Sequence, residues 1–158
     1  MSGILTTCSA GPVPTPYAAP SPHTLSYSLT LPGEPYSAAV ARLTVASVLR
    51  THRLDGLVPA AAQVTGELMA ADWHSSPGDG LYLSLRYRDD SLRLIVYDAH
   101  GTHPHPRLAG LCEARRRGHL RVLAALVRDG EGEWGFGPAR EPGGGTRTWA
   151  TLPYRAAT

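Results

Sequence analysis

Three histidines in a short segment are the first residues whose type and spacing could support chemistry. His100, His103 and His105 are interleaved with Pro104 and Pro106. Imidazole nitrogens bind Zn²⁺, but a structural zinc site needs about four ligands on a stiff frame. Histidines in a Pro-rich loop are usually solvated. We therefore favour solvated side chains over a metal site in this segment.

Three consecutive arginines form the densest positive charge of the chain. Arg115, Arg116 and Arg117 could pair with phosphate oxygens as bidentate forks, or with an acidic patch of a protein partner. A run of like charges is also often a solvated surface, and this alternative stays open. The formal net charge is only +2, and the other basic residues are scattered. Such a charge creates no broad field for nucleic acid or an anionic membrane, so we expect neither as a partner.

Two carboxylates lie at informative positions in the pattern. Asp98 follows an alternating apolar run, and an aspartate at a strand end commonly forms a turn or caps a helix. Glu67 falls at the edge of a helical stripe, where it would be an ordinary solvated charge. For both residues, a chemical role depends on the elements that surround them.

Hydrophobic periodicity predicts the elements that position these residues. Period-two alternation predicts strands at residues 25–31, 81–86, 92–97, 134–136 and 148–152, the second and third forming a hairpin at Asp89-Asp90. Helical spacing predicts helices at about 35–51, from Pro59 to near Trp73, and from Leu120 to Val127. Residues 99–117 have no periodicity and are predicted to form a long loop. This order predicts an α+β fold, a two-layer sandwich with three helices on one face of a mixed, mostly antiparallel sheet.

Composition predicts one intracellular domain. The chain has 158 residues, of which 42% are apolar. Residues 1–23 form a Pro-rich leader that we expect to be disordered or draped over the body, followed by a domain at 24–154 and a tail at 155–158. Cys8 and Cys112 suit a reduced compartment better than a disulfide framework. No export signal and no run of about 20 apolar residues is present, so we expect a cytoplasmic protein.

Four local patterns occur in a fixed order along this framework. They are Glu67-Leu68 in the second helix, Val96-Tyr97-Asp98 at a strand end, the loop 99–117, and Gly143-Gly144-Gly145-Thr146 followed by Trp149 and Pro153. Together with the element order, they resemble the GHKL family of histidine-kinase-like ATPases (the Bergerat fold), and within it the anti-sigma-factor serine/threonine kinases. The resemblance covers most of residues 25–153.

The resemblance implies a role for each of these patterns. Glu67 matches the catalytic base of the family's Glu-x-x-x-Asn motif, Asp98 matches the aspartate that reads adenine, and loop 99–117 matches the lid over the phosphates. The implied nucleotide-binding residues are Asp98, Gly101, Arg115, Arg116, Arg117, Gly118, Thr146 and Thr148.

The sequence departs from the family at the metal and phosphate positions. Ala71 stands where the Mg²⁺-holding Asn belongs, and no other alignment restores it because the chain contains no Asn. Asp72 lies about 100° around the helix and would reach the site only through a distorted turn. Arg117 and His119 replace the glycines of the lid motif Gly-x-Gly-Leu. Arg147 falls close to the position of a family threonine.

These departures favour a regulatory protein over a working enzyme. We expect a pseudokinase in transcription regulation that binds a partner such as a sigma factor or an anti-anti-sigma protein. Mg-ATP binding should be weakened or lost, any binding of ATP or ADP should be weak, and Mg²⁺ is not expected. The alternative is an active serine/threonine protein kinase of the anti-sigma type, which retention of Glu67 and Asp98 favours. The sequence leaves open whether the chain forms a homodimer.

Overall fold

The computed structural model describes residue 11, residues 17–140 and residues 144–157. Cys8, most of the predicted leader, Gly143 and the last residue of the predicted tail lie outside these ranges. The strands are β1 (Ser26–Leu31), β2 (Leu81–Arg88), β3 (Ser91–Asp98), β4 (Glu133–Pro138) and β5 (Thr146–Pro153). The α-helices are α1 (Ser37–Thr51), α2 (Val58–Ser75), α3 (Pro106–His119) and α4 (Arg121–Asp129).

The five strands form one open sheet in the order β1-β2-β3-β5-β4. Every neighbouring pair in the described part of the chain is antiparallel, so the prediction of a mixed sheet was wrong. One face of the sheet carries an apolar row in which Leu85, Leu94 and Ala150 lie side by side on adjacent strands. All three are fully buried, and α2 packs over this face. The α+β class and the two-layer arrangement are therefore confirmed.

The hairpin between β2 and β3 turns where the sequence predicted it. Asp89 and Asp90 both adopt positive φ angles, 51° and 53°. A two-residue turn with two left-handed residues matches the twist of the flanking strands, and aspartate tolerates this conformation better than most residues.

Helix α2 follows the predicted helical period, and its buried face includes polar residues beside the apolar ones. Ala60 is exposed, whereas Ala61, Thr65, Leu68 and Asp72 are buried at spacings of four, three and four residues. These spacings place the four residues on one helix face. That face carries Asp72 into the interior without any distortion of the helix.

A fourth α-helix, α3, occupies most of the segment that we predicted to be a loop. Pro106 suits the first helical turn, and the Nδ1 atom of His105 caps the helix by accepting from the backbone N–H of Arg107 at 3.2 Å. Arg116 is the only buried residue of this helix, so no apolar stripe marks it. The exposed side chains of Glu113 and Arg117, one turn apart at 2.9 Å, add a small local stabilisation, and the buried ion pairs of Arg116 attach the helix to the domain.

Polar contacts fix both ends of the described domain. The Nδ1 atom of buried His52 donates to the carbonyl of Ser21 at 2.6 Å, and its Nε2 accepts from the Tyr27 hydroxyl at 2.9 Å. The end of the predicted leader is thus held against α1. At the other terminus, the Tyr87 hydroxyl donates to the carbonyl of Tyr154. Across the residues described, no helix combines the length and the apolar character needed to cross a bilayer.

Candidate functional site

A buried cluster of charged side chains lies where α2, β3, β5 and α3 meet. Arg116 of α3 is only 3% exposed. Its Nη1 donates to Asp72 Oδ1 at 2.7 Å, and its Nη2 donates to Asp98 Oδ2 at 2.8 Å. The Thr148 hydroxyl donates to Asp72 Oδ1 at 2.7 Å. One guanidinium thus joins two carboxyl groups from different elements.

The backbone fixes each of these side chains in place. Asp98 is the last residue of β3 and lies opposite Thr146 of β5, which places Thr148 two residues further along the inner face. Gly145 packs closely against the backbone at the end of β3 and has a φ of 93°. A Cβ at this position would overlap the carbonyl oxygen of Asp98. Only glycine fits this close approach without strain.

Burial raises the pKa of Asp72 well above its ordinary value of 3.8, and the neighbouring carboxylate of Asp98 raises it further. The hydrogen bond from Thr148 and the charge of Arg116 act in the opposite direction but are smaller effects. The Oδ2 atom of Asp72 is buried and accepts no hydrogen bond. When Asp72 is protonated, the proton belongs on this oxygen, because Oδ1 already accepts from Arg116 and Thr148 and an ionised oxygen without a donor would be strongly disfavoured there. The cluster is then close to neutral, with Arg116 balanced by Asp98.

Beside the cluster lies an open pocket of about 310 Å³. Its wall includes Gly101, Arg116, Arg117, Phe136 and Thr146. The guanidinium carbons of Arg116 and Arg117 lie 5.9 and 5.1 Å from the centre of the Phe136 ring, within the range of a cation–π contact. Asp98 does not line this pocket, because its carboxylate is paired with the guanidinium of Arg116.

The structure brings together some of the sequence-predicted site residues and separates others. Asp98, Arg116 and Thr148 share the buried cluster, and Thr146 and Gly101 line the adjacent pocket. Arg115 and Gly118 are exposed on α3. Glu67 lines a different cavity, of about 410 Å³, together with α1 and α4 residues that include Arg42 and Val122.

Sequence reasoning wrongly excluded Asp72 and missed Phe136. The signal for Asp72 was present in the helical period, because it lies four residues beyond buried Leu68. We followed only apolar residues along this stripe and thus excluded the one charged residue that continues it. Phe136 was read as a strand residue alone, and its contact with two arginines depends on the position of α3, which the sequence pattern did not predict.

A second cluster lies on the pocket wall and changes our interpretation of the histidines. The ligand atoms of His100, His103 and Cys112 all lie within 4.8 Å of one another. His105, the third histidine of the sequence pattern, instead caps α3. The expectation of solvated loop histidines therefore fails for His100, whose Nε2 lies 2.9 Å from the Cys112 sulfur.

Comparison with known proteins gives no family for this chain. A scan against models of protein families finds no match, and a search of curated proteins finds no similar sequence.

Proposed function

We propose that this chain is a regulatory protein of the Bergerat type that acts by binding a protein partner and has no kinase activity. The observation that carries the proposal is the position of Arg116. Its guanidinium occupies the carboxylate of Asp98, the residue that the resemblance assigns to adenine recognition. The other oxygen of Asp98 accepts from the backbone N–H of His100 at 2.8 Å. Both oxygens are therefore engaged by the protein's own groups.

The residues present do not fit a Mg²⁺-bound nucleotide. Ala71 is 1% exposed, belongs to the apolar core and offers no oxygen to a metal ion. A base could reach Asp98 only if Arg116 left both carboxyl groups. Such a movement would leave buried charge without its partner, which typically costs about 3–5 kcal/mol. Phosphoryl transfer depends on metal and phosphate positioning, so we expect none here.

The surface of α1 supports binding to a protein. Tyr36, just before the helix, and Val40 and Leu43 within it are 61%, 45% and 74% exposed. Their spacing of four and three residues places them along one face. Contiguous exposed apolar side chains commonly mark protein interfaces. We propose that this face contacts the partner, which the resemblance suggests is a sigma factor or an anti-anti-sigma protein.

Calorimetric titration with ATP, with and without Mg²⁺, tests the nucleotide part of the proposal. We expect no saturable binding in either condition. Phosphate transfer to a partner protein from radiolabelled ATP, at the roughly 1–100 s⁻¹ of working kinases, would support the active-kinase alternative and reject the proposal.

The partner part is tested by pairwise binding assays with the sigma factors and anti-anti-sigma proteins of the same genome. Leu43→Glu should abolish the interaction, whereas Val122→Glu should not. Val122 is a matched control because it is also apolar and exposed, at 55%, but lies on α4. Equal loss of binding in both variants, or no binding to any such protein, would contradict the proposed partner surface. Sedimentation of both variants shows whether the α1 face instead mediates self-association.

A further inference from the structure

Two histidines and a cysteine converge on one side of the pocket described above. His100 and His103 belong to the segment that follows β3, and Cys112 lies in α3. Their ligand atoms are all within 4.8 Å of one another, and the closest pair, His100 Nε2 and Cys112 Sγ, is 2.9 Å apart. No other function derived for this chain uses these three side chains.

The distances suit a tetrahedral metal ion. With Zn–N bonds of about 2.0–2.1 Å and a Zn–S bond of about 2.3 Å, the ligand atoms of such a site lie about 3.3–3.6 Å apart. The closest pair, a nitrogen and a sulfur, must open by about 0.6–0.7 Å, and a pair at the 4.8 Å limit must close by about 1.2–1.5 Å, changes within the reach of side-chain rotation. Imidazole and thiolate ligands together favour Zn²⁺ over Mg²⁺ or Ca²⁺, which prefer oxygen.

The backbone holds part of this site on a fixed frame. The N–H of His100 donates to Asp98, and its carbonyl accepts from the Thr146 hydroxyl at 2.8 Å. His100 is thus fixed by two neighbouring strands. Cys112 lies one helical turn before Arg116, whose buried ion pairs anchor that face of α3. A pre-positioned ligand lowers the entropic cost of binding a metal ion.

The local charge does not oppose a cation as strongly as the arginines alone suggest. Asp98 neutralises Arg116, and the exposed Glu113 carboxylate pairs with Arg117 at 2.9 Å. Cys112 adds a negative charge when it binds as a thiolate, which further offsets the arginines. We propose that His100, His103 and Cys112 bind one Zn²⁺ ion, with its fourth position open to the pocket.

Cobalt provides a direct test, because Co²⁺ occupies zinc sites and reports its ligands by absorption. We expect metal-free full-length protein carrying Cys8→Ser to bind one Co²⁺. The spectrum should contain a sulfur-to-cobalt charge-transfer band and the intense visible bands of four-coordinate cobalt. Zn²⁺ should displace the cobalt, and excess Mg²⁺ should not. The Cys8→Ser background assigns the sulfur signal to Cys112.

Variants decide whether the three side chains are the ligands. Cys112→Ser should remove the charge-transfer band, and His103→Gln should weaken Zn²⁺ binding by more than the about 10- to 100-fold that outer-shell changes cost. His105→Ser is the matched control, since serine preserves the helix cap and the residue lies outside the cluster. Its affinity should be unchanged.

The proposal is overturned if no four-coordinate cobalt spectrum appears, if Cys112→Ser leaves the spectrum intact, or if His105→Ser loses as much affinity as His103→Gln. Circular dichroism of each metal-free variant checks that it is folded. If Cys112→Ser does not fold, His103→Gln decides the matter, because it changes the loop and leaves α3 unaltered. The outcome is independent of nucleotide or partner binding.

Discussion

Replacing each buried carboxyl group by its isosteric amide should have very different consequences at positions 72 and 98. In Asp72→Asn the amide oxygen takes the place of Oδ1, which accepts from Arg116 and Thr148. The amide nitrogen takes the place of Oδ2, which has no donor partner to oppose it. The variant therefore reproduces the protonated acid, and in contrast to Asp98→Asn it should not lower the free energy of unfolding between about pH 5 and about pH 8.

Asp98→Asn cannot preserve the hydrogen bonds that the wild-type carboxylate accepts. One oxygen of Asp98 accepts from Arg116 and the other from the backbone of His100, so the new amide nitrogen must face a donor in either orientation. The charge that balances Arg116 is also lost. We expect a cost of about 2–5 kcal/mol, combining an unsatisfied buried donor with a broken buried ion pair.

The pH dependence provides a second, independent check of the same reasoning. Because the pKa of Asp72 is higher in the folded state than in the unfolded chain, the folded protein binds more protons above pH 3.8. The contribution of Asp72 to stability is therefore complete below the unfolded pKa and is lost as pH rises through the folded pKa. Wild-type stability should fall relative to Asp72→Asn by up to about 1.4 kcal/mol for each pH unit within that window.

Urea unfolding of the wild type and both variants, from about pH 5 to about pH 8, measures these differences. Equal destabilisation by the two amides would refute the assignment of the proton to Asp72. A stability gap between wild type and Asp72→Asn that moves in favour of wild type with rising pH would refute it as well.

Two further predictions concern the surroundings of the cluster. A left-handed conformation costs a non-glycine residue about 1–2 kcal/mol, and Gly145→Ala should destabilise the fold by more than this because its new Cβ also overlaps the Asp98 carbonyl. Thermal unfolding measures the effect. Gly137→Ala is the control, because a Cβ added at Gly137 would have no non-neighbouring atom within 4 Å. The pKa of His119 is lowered mainly by burial and further by the nearby His74, Arg115 and Arg116. The neutral form of His119 therefore contributes stability above pH 6.5. This contribution is lost as the pH falls through the folded pKa. His119→Gln should therefore reduce the acid-induced loss of stability below pH 6.5, and an unchanged pH profile in unfolding experiments would contradict this reasoning.

The sequence allowed most of the sheet to be predicted because its strands are half-buried. β2 alternates buried and less buried residues throughout its length, and the residues of its turn adopt the conformation that this turn type requires. The order of elements could then be read without knowledge of their pairing. The direction of each pairing is a long-range property, and the assumption of a mixed sheet came from fold-class reasoning and not from any residue.

Helix α3 and the site that it completes could not be predicted in the same way. Period-based reasoning detects a helix through its buried stripe, and the buried part of α3 is a single arginine. The run Arg115 to Arg117 gave no indication that its middle residue is buried while both neighbours are exposed. That difference depends on two carboxyl groups, one 44 and the other 18 residues away in the chain.

Polar contacts, not apolar packing, attach α3 to the rest of the domain. Arg116 binds carboxyl groups on α2 and β3, and Cys112, one turn earlier on the same face, contacts His100. His100 is itself held through its backbone by Asp98, so both attachments end on the same strand terminus. Apolar contacts are insensitive to protonation, whereas ion pairs depend directly on it. The position of this helix over the pocket is therefore coupled to the ionisation of Asp72, and changes at Asp72 should be measured on the helix as well as on the site.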